Sequence, residues 1–291
     1  MMDFAPTLHR LRDMLRAPAC LILALIASPA LARHSPEIGT ITAITVRYET
    51  QSVKEMGSSS SRGSYHYVER VVAASEEGVE REYVNPESGE DRPLADWHLP
   101  VRVLERPDGT LVITNRAEME ARRDHFLQEA EIPVEACGSW YFTWNAFQVE
   151  CDPDSVLSTI AYLDIQPQIL AEGALYQHDK ALRPGTLSIV AVEGEGTTYR
   201  TQMPVSPDAI RLESAEGDVV VGEIMRDPIT LEEAIAARRG DIVEGTVTVT
   251  LTADPDGVVH TRTVELEVDY TDSEGVVEHT TARRTTTRRR E

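Results

Sequence analysis

Over the last fifty residues apolar and polar positions take turns. Val247, Val249 and Leu251 alternate with Thr246, Thr248 and Thr250, and Val264, Leu266, Val268 and Tyr270 alternate with Thr263, Glu265, Glu267 and Asp269. Successive side chains of a strand point to opposite faces, so these runs predict strands with one greasy face and one face of threonine and charge. Asp254-Pro255-Asp256-Gly257 and Asp272-Ser273-Glu274-Gly275 supply the turns between them, giving a β-meander. The first part of the chain has the same period. Ile44, Val46 and Tyr48 alternate with Thr45, Arg47 and Glu49. Residues 64–75 and 78–85 form a hairpin about Gly78, and residues 101–105 and 110–115 a second one about Arg106-Pro107-Asp108-Gly109. Residues 186–205 predict a further hairpin about Gly194 and Gly196, and 219–224 (VVVGEI) a short strand. The Ser/Gly-rich stretch 54–63 and the proline-punctuated stretch 85–100 read as loops.

Between these strand regions the period changes to that of a helix. Met119, Arg123, Phe126 and Leu127 have helical spacing within 116–130, with Asn115 placed to cap the first turn. A second helix starts at Asp152-Pro153-Asp154-Ser155, with Asp152 as the cap and Val156, Leu157, Ile160 and Leu163 as its apolar stripe. Residues 167–175 suggest a short third helix. Residues 227–240 predict a fourth, with Thr230 and Glu233 as a capping box and Gly240 at its end. The pattern specifies an α+β, β-rich chain: a long twisted antiparallel sheet with a few helices packed on one face. An open sheet and a half-open barrel both satisfy it. The half-open form resembles, in shape alone, the exported carriers of lipid and lipoprotein. The strands divide into 33–115 and 181–282, with helices and a cysteine segment over 116–180, in one or two domains.

The only long uncharged run is 17–32, APACLILALIASPALA, which follows Arg10, Arg12 and Arg16 and ends in Ala30-Leu31-Ala32. A basic start, a short apolar run and small residues at the cleavage positions specify a signal peptide over 1–32, and hence an exported, periplasmic or secreted protein. An uncleaved anchor is the alternative reading. Cleavage after Ala32 removes Cys20 and leaves Cys137 and Cys151. Two thiols in an oxidising compartment pair, and closing this ring stabilises the fold by about 3 kcal/mol in the chain-entropy model. There is no CxxC, and no set of four His and Cys residues at zinc spacing, so no metal and no cofactor is expected.

Acidic residues outnumber basic ones, 49 to 28, for a net charge of −21. A body this acidic repels phosphate backbones, which excludes a nucleic-acid partner. No nucleophile elbow, P-loop, dinucleotide fingerprint or zinc-protease motif occurs. Glu193 and Glu195, and the Glu265, Glu267 and Asp269 row, are the carboxylate sets a hydrolase could draw on; a solvated acidic face is the simpler reading. Trp140, Phe142 and Trp144 fall at i, i+2 and i+4 in an otherwise aromatic-poor chain. They mark either a core strand pinned by the disulfide or a ligand groove whose contacts are Trp140, Tyr141 and Trp144. Residues 283–291 hold Arg283, Arg284, Arg288, Arg289 and Arg290. As a free basic tail they would either fray onto the acidic body or tether to an anionic surface. The expected function is non-catalytic binding of an apolar ligand, lipid or polypeptide, on the sheet. An assembly partner in the cell envelope and a carboxylate hydrolase are the alternatives. Intact-mass analysis of the protein from its native host should show a chain beginning at Arg33, with neither remaining thiol open to alkylation before reduction.

Overall fold

The computed structural model describes residues 36–55, 57–86, 97–142, 146–193 and 196–291. Residues 1–32, the expected signal peptide, lie outside these residues. Five strands come first: β1 Ile41–Lys54, β2 Gly57–Ser75, β3 Gly78–Val84, β4 Val101–Glu105 and β5 Leu111–Ile113. Helix α1 (Arg116–Glu129), the small hairpin of β6 (Trp140–Phe142) and β7 (Ala146–Gln148), and α2 (Ser155–Leu163) follow. Next are the short pair β8 (Leu175–Tyr176) and β9 (Gly185–Thr186), then β10 (Ser188–Glu193), β11 (Gly196–Pro204), α3 (Pro207–Met225) and α4 (Leu231–Ala237). The chain ends in β12 (Ile242–Ala253), β13 (Val259–Thr271) and β14 (Val277–Arg290).

Ten strands form one antiparallel sheet in the order β10-β11-β12-β13-β14-β1-β2-β3-β4-β5. It is two meanders joined where the last strand pairs with the first, from Thr42 opposite Arg290 to Lys54 opposite Glu278. The ends β10 and β5 do not meet, so the sheet is open rather than closed into a barrel. The alternation read from the sequence sets the faces. Ile44, Val46, Val247, Val249 and Leu251 are buried, and the helices cover their side. Met119 of α1 and Val156, Ile160 and Leu163 of α2 close one core against Val101, Val103 and Tyr83. Ile165 and Leu187, from loops, close a second against β11 and β12. Gly78 fits the β2–β3 turn because a Cβ there would lie 2.1 Å from the Glu105 carbonyl oxygen.

The structure departs from the sequence pattern in six places. Within the Ser/Gly stretch, Lys54 ends β1 and residues 57–63 are strand, paired from Lys54 opposite Gly57 onward, because the β1 register carries them. Residues 167–175 are not helical: Gly173 has φ +81° and its N–H donates to the Leu187 carbonyl, so the chain turns back along β10. Residues 219–224 lie inside α3, whose N-terminus is fixed by Pro207 at the first turn and by the Ser206 hydroxyl accepting from Ala209 N–H. That helix start overrides the β preference of three successive valines. Helix α2 begins at Ser155, and Asp152 instead forms a turn ahead of it, accepting from the Asp154 N–H at 2.9 Å. Asn115 precedes α1, but its side chain ties to β4, accepting from Arg102 N–H at 2.9 Å and donating to the Pro100 carbonyl at 3.1 Å.

The largest correction concerns residues 283–291. They are not a free tail; through Arg290 they belong to β14, in the interior of the sheet between β1 and β13. Alternate positions decide their roles. Arg288 turns to the covered face, where both of its contacts with the Glu69 carboxylate are 2.8 Å, and Glu69 is only 5% exposed. Arg81 approaches Glu69 at 3.7 Å and Glu105 at 2.5 Å. Burial, then the Glu69 carboxylate, drives the Tyr83 hydroxyl pKa far upward, so Tyr83 stays a neutral phenol there. Arg289 and Arg290 are well exposed and meet Glu291 and Glu37.

Deleting residues 283–291 should therefore abolish cooperative unfolding by circular dichroism, since β1 and β13 each lose a partner. Glu69→Ala should cost about 3–5 kcal/mol in denaturant titration, because the Arg288 guanidinium is left without its carboxylate on the covered face while Arg81 keeps only Glu105. Asp208→Ala, which removes the exposed partner of Arg211, should cost no more than about 1 kcal/mol.

Candidate functional site

Helix α2 lies on the sheet with Val156, Ile160 and Leu163 inward. Its last turn leaves carbonyls that no residue further along the helix can satisfy. Arginines from the C-terminal strands supply the donors. Arg262 of β13 donates to the Tyr162 carbonyl at 2.8 Å, and Arg288 of β14 to the Leu163 carbonyl at 3.0 Å. Cations are favoured at this negative end of the helix dipole. The Tyr162 ring is held as well, with the Arg284 guanidinium 4.0 Å and the Arg262 guanidinium 4.7 Å from its centroid.

Beside that fixed helix end is a pocket of about 280 Å³. Val46 of β1, Tyr65 and Tyr67 of β2, Arg284 of β14, and Tyr162 and Leu163 of α2 line it, with the Ser158 and Thr159 hydroxyls at its rim. The register explains the gathering. Val46 stands opposite Tyr65 on one side and Thr286 on the other, and Ile44 opposite Tyr67, so all of these project to the covered face. The helices stop short of the far ends of β1 and β2, so Tyr65 is 50% exposed. Tyr48 stacks on it with centroids 5.7 Å apart, and its ring crosses Gly63, where a Cβ would fall 2.6 Å from the Tyr48 hydroxyl. Burial, and then the hydrogen bond with Tyr48, raises the Tyr65 hydroxyl pKa above its ordinary value. The pocket thus offers aromatic faces, neutral phenols and one guanidinium. Such a site receives an apolar or aromatic group and faces a negative charge attached to it.

The cysteine segment forms a separate unit. Cys137 and Cys151 are bonded, with sulfurs 2.12 Å apart and Cα atoms 5.5 Å apart. The disulfide closes the base of the β6–β7 hairpin, which is outside the ten-stranded sheet and beside α3. Trp140 is half-buried in β6, Tyr141 is exposed and stacks on Phe147 at 6.0 Å, and Trp144 lies outside the described residues. The tyrosines of the pocket were not singled out from the sequence. Tyr65 and Tyr67 share one face of β2, but Tyr162 lies almost a hundred residues further on; only the docking of α2 brings it to them.

The carboxylate sets have other partners or lie beyond description. Glu265 meets Arg283 at 3.7 Å and Asp269 meets His279 at 2.8 Å, all on the uncovered face. Glu195 lies outside the described residues, and nothing is described of the Glu193 side chain. Asp218, Asp241, Arg238 and Tyr270 form a network fastening α3 to β12 and β13, with Arg238 held on Asp218 by two contacts of 2.7 Å. Residues 254–257 make a hairpin turn in which Asp254 accepts from the Val258 N–H at 2.8 Å. Among the described residues no three His, Cys, Asp or Glu side chains gather as a metal-binding group, and no helix is long and apolar enough to cross a membrane.

No family model and no curated protein matches this chain. Among solved structures it is similar to lipovitellin, in a study of that protein's lipid–protein interactions, with a TM-score of 0.42 and 8% identity over 87% of this chain and 25% of that one. The chain therefore spans about a quarter of the length of the lipovitellin chain.

Proposed function

We propose that this chain is an exported, non-catalytic binding protein that holds an apolar or aromatic group in the tyrosine pocket at the end of α2. The observation that carries the reading is the convergence of Tyr65, Tyr67 and Tyr162 with Arg284 around a space of about 280 Å³ open to solvent. Its size suits one ring, one short acyl segment or one large side chain. Arg284 adds a preference for an anionic group, because its guanidinium is held at the pocket by the Tyr162 ring face.

A second reading, an assembly partner in the cell envelope, is supported by another surface. Val221 and Met225 of α3 are 58% and 72% exposed, and Leu231 and Ile235 of α4 are exposed beside them. The disulfide-pinned hairpin adjoins α3, so Trp140 and Tyr141 would contact the partner on that surface.

Two naphthylamine dyes test the pocket, one anionic and one uncharged. Both should fluoresce with the purified protein, and Tyr65→Ala should weaken both by about tenfold, the scale of one lost aromatic contact. Arg284→Leu should weaken the anionic dye and leave the uncharged one bound. Unchanged binding in Tyr65→Ala, with the fold intact by circular dichroism, would sink the pocket reading.

A further inference from the structure

The second strand is longer than its neighbour on one side. β2 runs from Gly57 to Ser75, but β3 pairs with it only from Val68 onward. Among the described residues no strand pairs with the outer edge of β2 before Val68. The hydrogen-bond parity of that edge follows from the register. Val71 bonds toward the start of β1, donating to Thr40 and accepting from Gly39. Backbone groups alternate sides along an antiparallel strand, so odd-numbered residues of β2 bond to β1 and even-numbered ones point away. The backbone N–H and C=O groups of Ser58, Ser60, Arg62 and Ser64 therefore face outward over about 20 Å, the length of an ordinary strand.

The other two edges of the sheet are guarded. β10 has a bulge between Ile189 and Ala191, and the Glu172 carboxylate accepts the Ile189 N–H. β5 is three residues long. Bulges, short length and side-chain caps are the ordinary means of blocking an edge. The β2 edge has none of these. Its residues are serine and glycine apart from Arg62, with no proline, no lysine and little side-chain bulk.

We infer that the outer edge of β2, from Ser58 to Ser64, takes up an extended polypeptide as an added strand, and that one side chain of this strand enters the tyrosine pocket. The inference rests on the pocket reading and names its ligand class. A line of alternating donors and acceptors at strand spacing is matched along its length by another polypeptide backbone; a lipid chain has no groups for it. The edge is also continuous with the pocket. Tyr65 faces the pocket, and its own backbone bonds inward to Val46, so a residue opposite it on the added strand would sit in a non-hydrogen-bonded pair, where side chains approach closest. On the other face the added strand would pass Arg62, which stands opposite Glu49, with Arg47 two residues further along β1. A bound strand with an aromatic residue toward the pocket and an acidic residue toward Arg62 fits both faces.

The test uses the full mature protein and a fluorescein-labelled eight-residue threonine peptide carrying one phenylalanine and one glutamate three positions apart, so that the two side chains project to opposite faces of the added strand. A second peptide is identical but N-methylated at alternate backbone positions. Fluorescence anisotropy should show saturable binding of the first, and binding of the second weaker by about tenfold or more, since methylation removes the ladder donors. Ser60→Pro removes an outward N–H without touching the β1–β2 ladder, so it should abolish peptide binding while dye binding and the thermal midpoint are unchanged. Ser61→Pro removes an inward N–H and should lower the thermal midpoint, which confirms the parity. Equal affinity for the two peptides, or full affinity in Ser60→Pro, overturns the inference. So does a protein dimer abolished by Ser60→Pro, which would give the edge to a second copy. If the dyes bind and no peptide does, this inference fails and the pocket reading stands; if neither binds, both fail.

Discussion

The pairing of β14 with β1 is the contact on which everything else is built. Without it there are two separate meanders, each with a long exposed edge and half a greasy face. Their union is more than backbone hydrogen bonding. Arg288 reaches from β14 past β1 to Glu69 of β2, and Arg81 of β3 meets the same carboxylate, so three strands share one charged cluster that spans β1. A carboxylate this buried is tolerated only because both guanidiniums are present. The charge also fixes register: a slip of one residue in β14 would turn Arg288 to the other face and leave Glu69 with Arg81 as its remaining partner.

The same arginine row shapes the candidate site. Arg284, Thr286 and Arg288 share the covered face of β14, and Arg262 lies opposite Thr286 on β13. Two of these arginines cap the carbonyl end of α2, and two enclose the Tyr162 ring. The helix is thereby anchored at its last turn, where it stops short of the strand ends, and the pocket forms at that step.

Much of the architecture was legible in the residues. Strict alternation in β1, β12 and β13, the turn sequences at 106–109, 254–257 and 272–275, the helical spacing of α1 and the capping box at Thr230 and Glu233 all appear in the structure where the pattern put them. The failures share a cause. Ser58–Ser61 have poor strand propensity and are strand because β1 holds them; the three valines of α3 have strong strand propensity and are helix because Pro207 and Ser206 started one. Local preference is a weak term beside a formed ladder or a formed helix end.

The sequence by itself determined the period of β1, β12, β13 and α1 and, on the expectation that cleavage removes Cys20, the disulfide partners, because these depend on near neighbours or on there being two candidates. The tertiary structure alone decided that the basic C-terminal run is an interior strand, that its alternate arginines serve different faces, and that tyrosines from β1, β2 and α2 meet. Those outcomes depend on which strand lies next to which, and the first and last strands, more than two hundred residues apart, carry no local mark that they are neighbours.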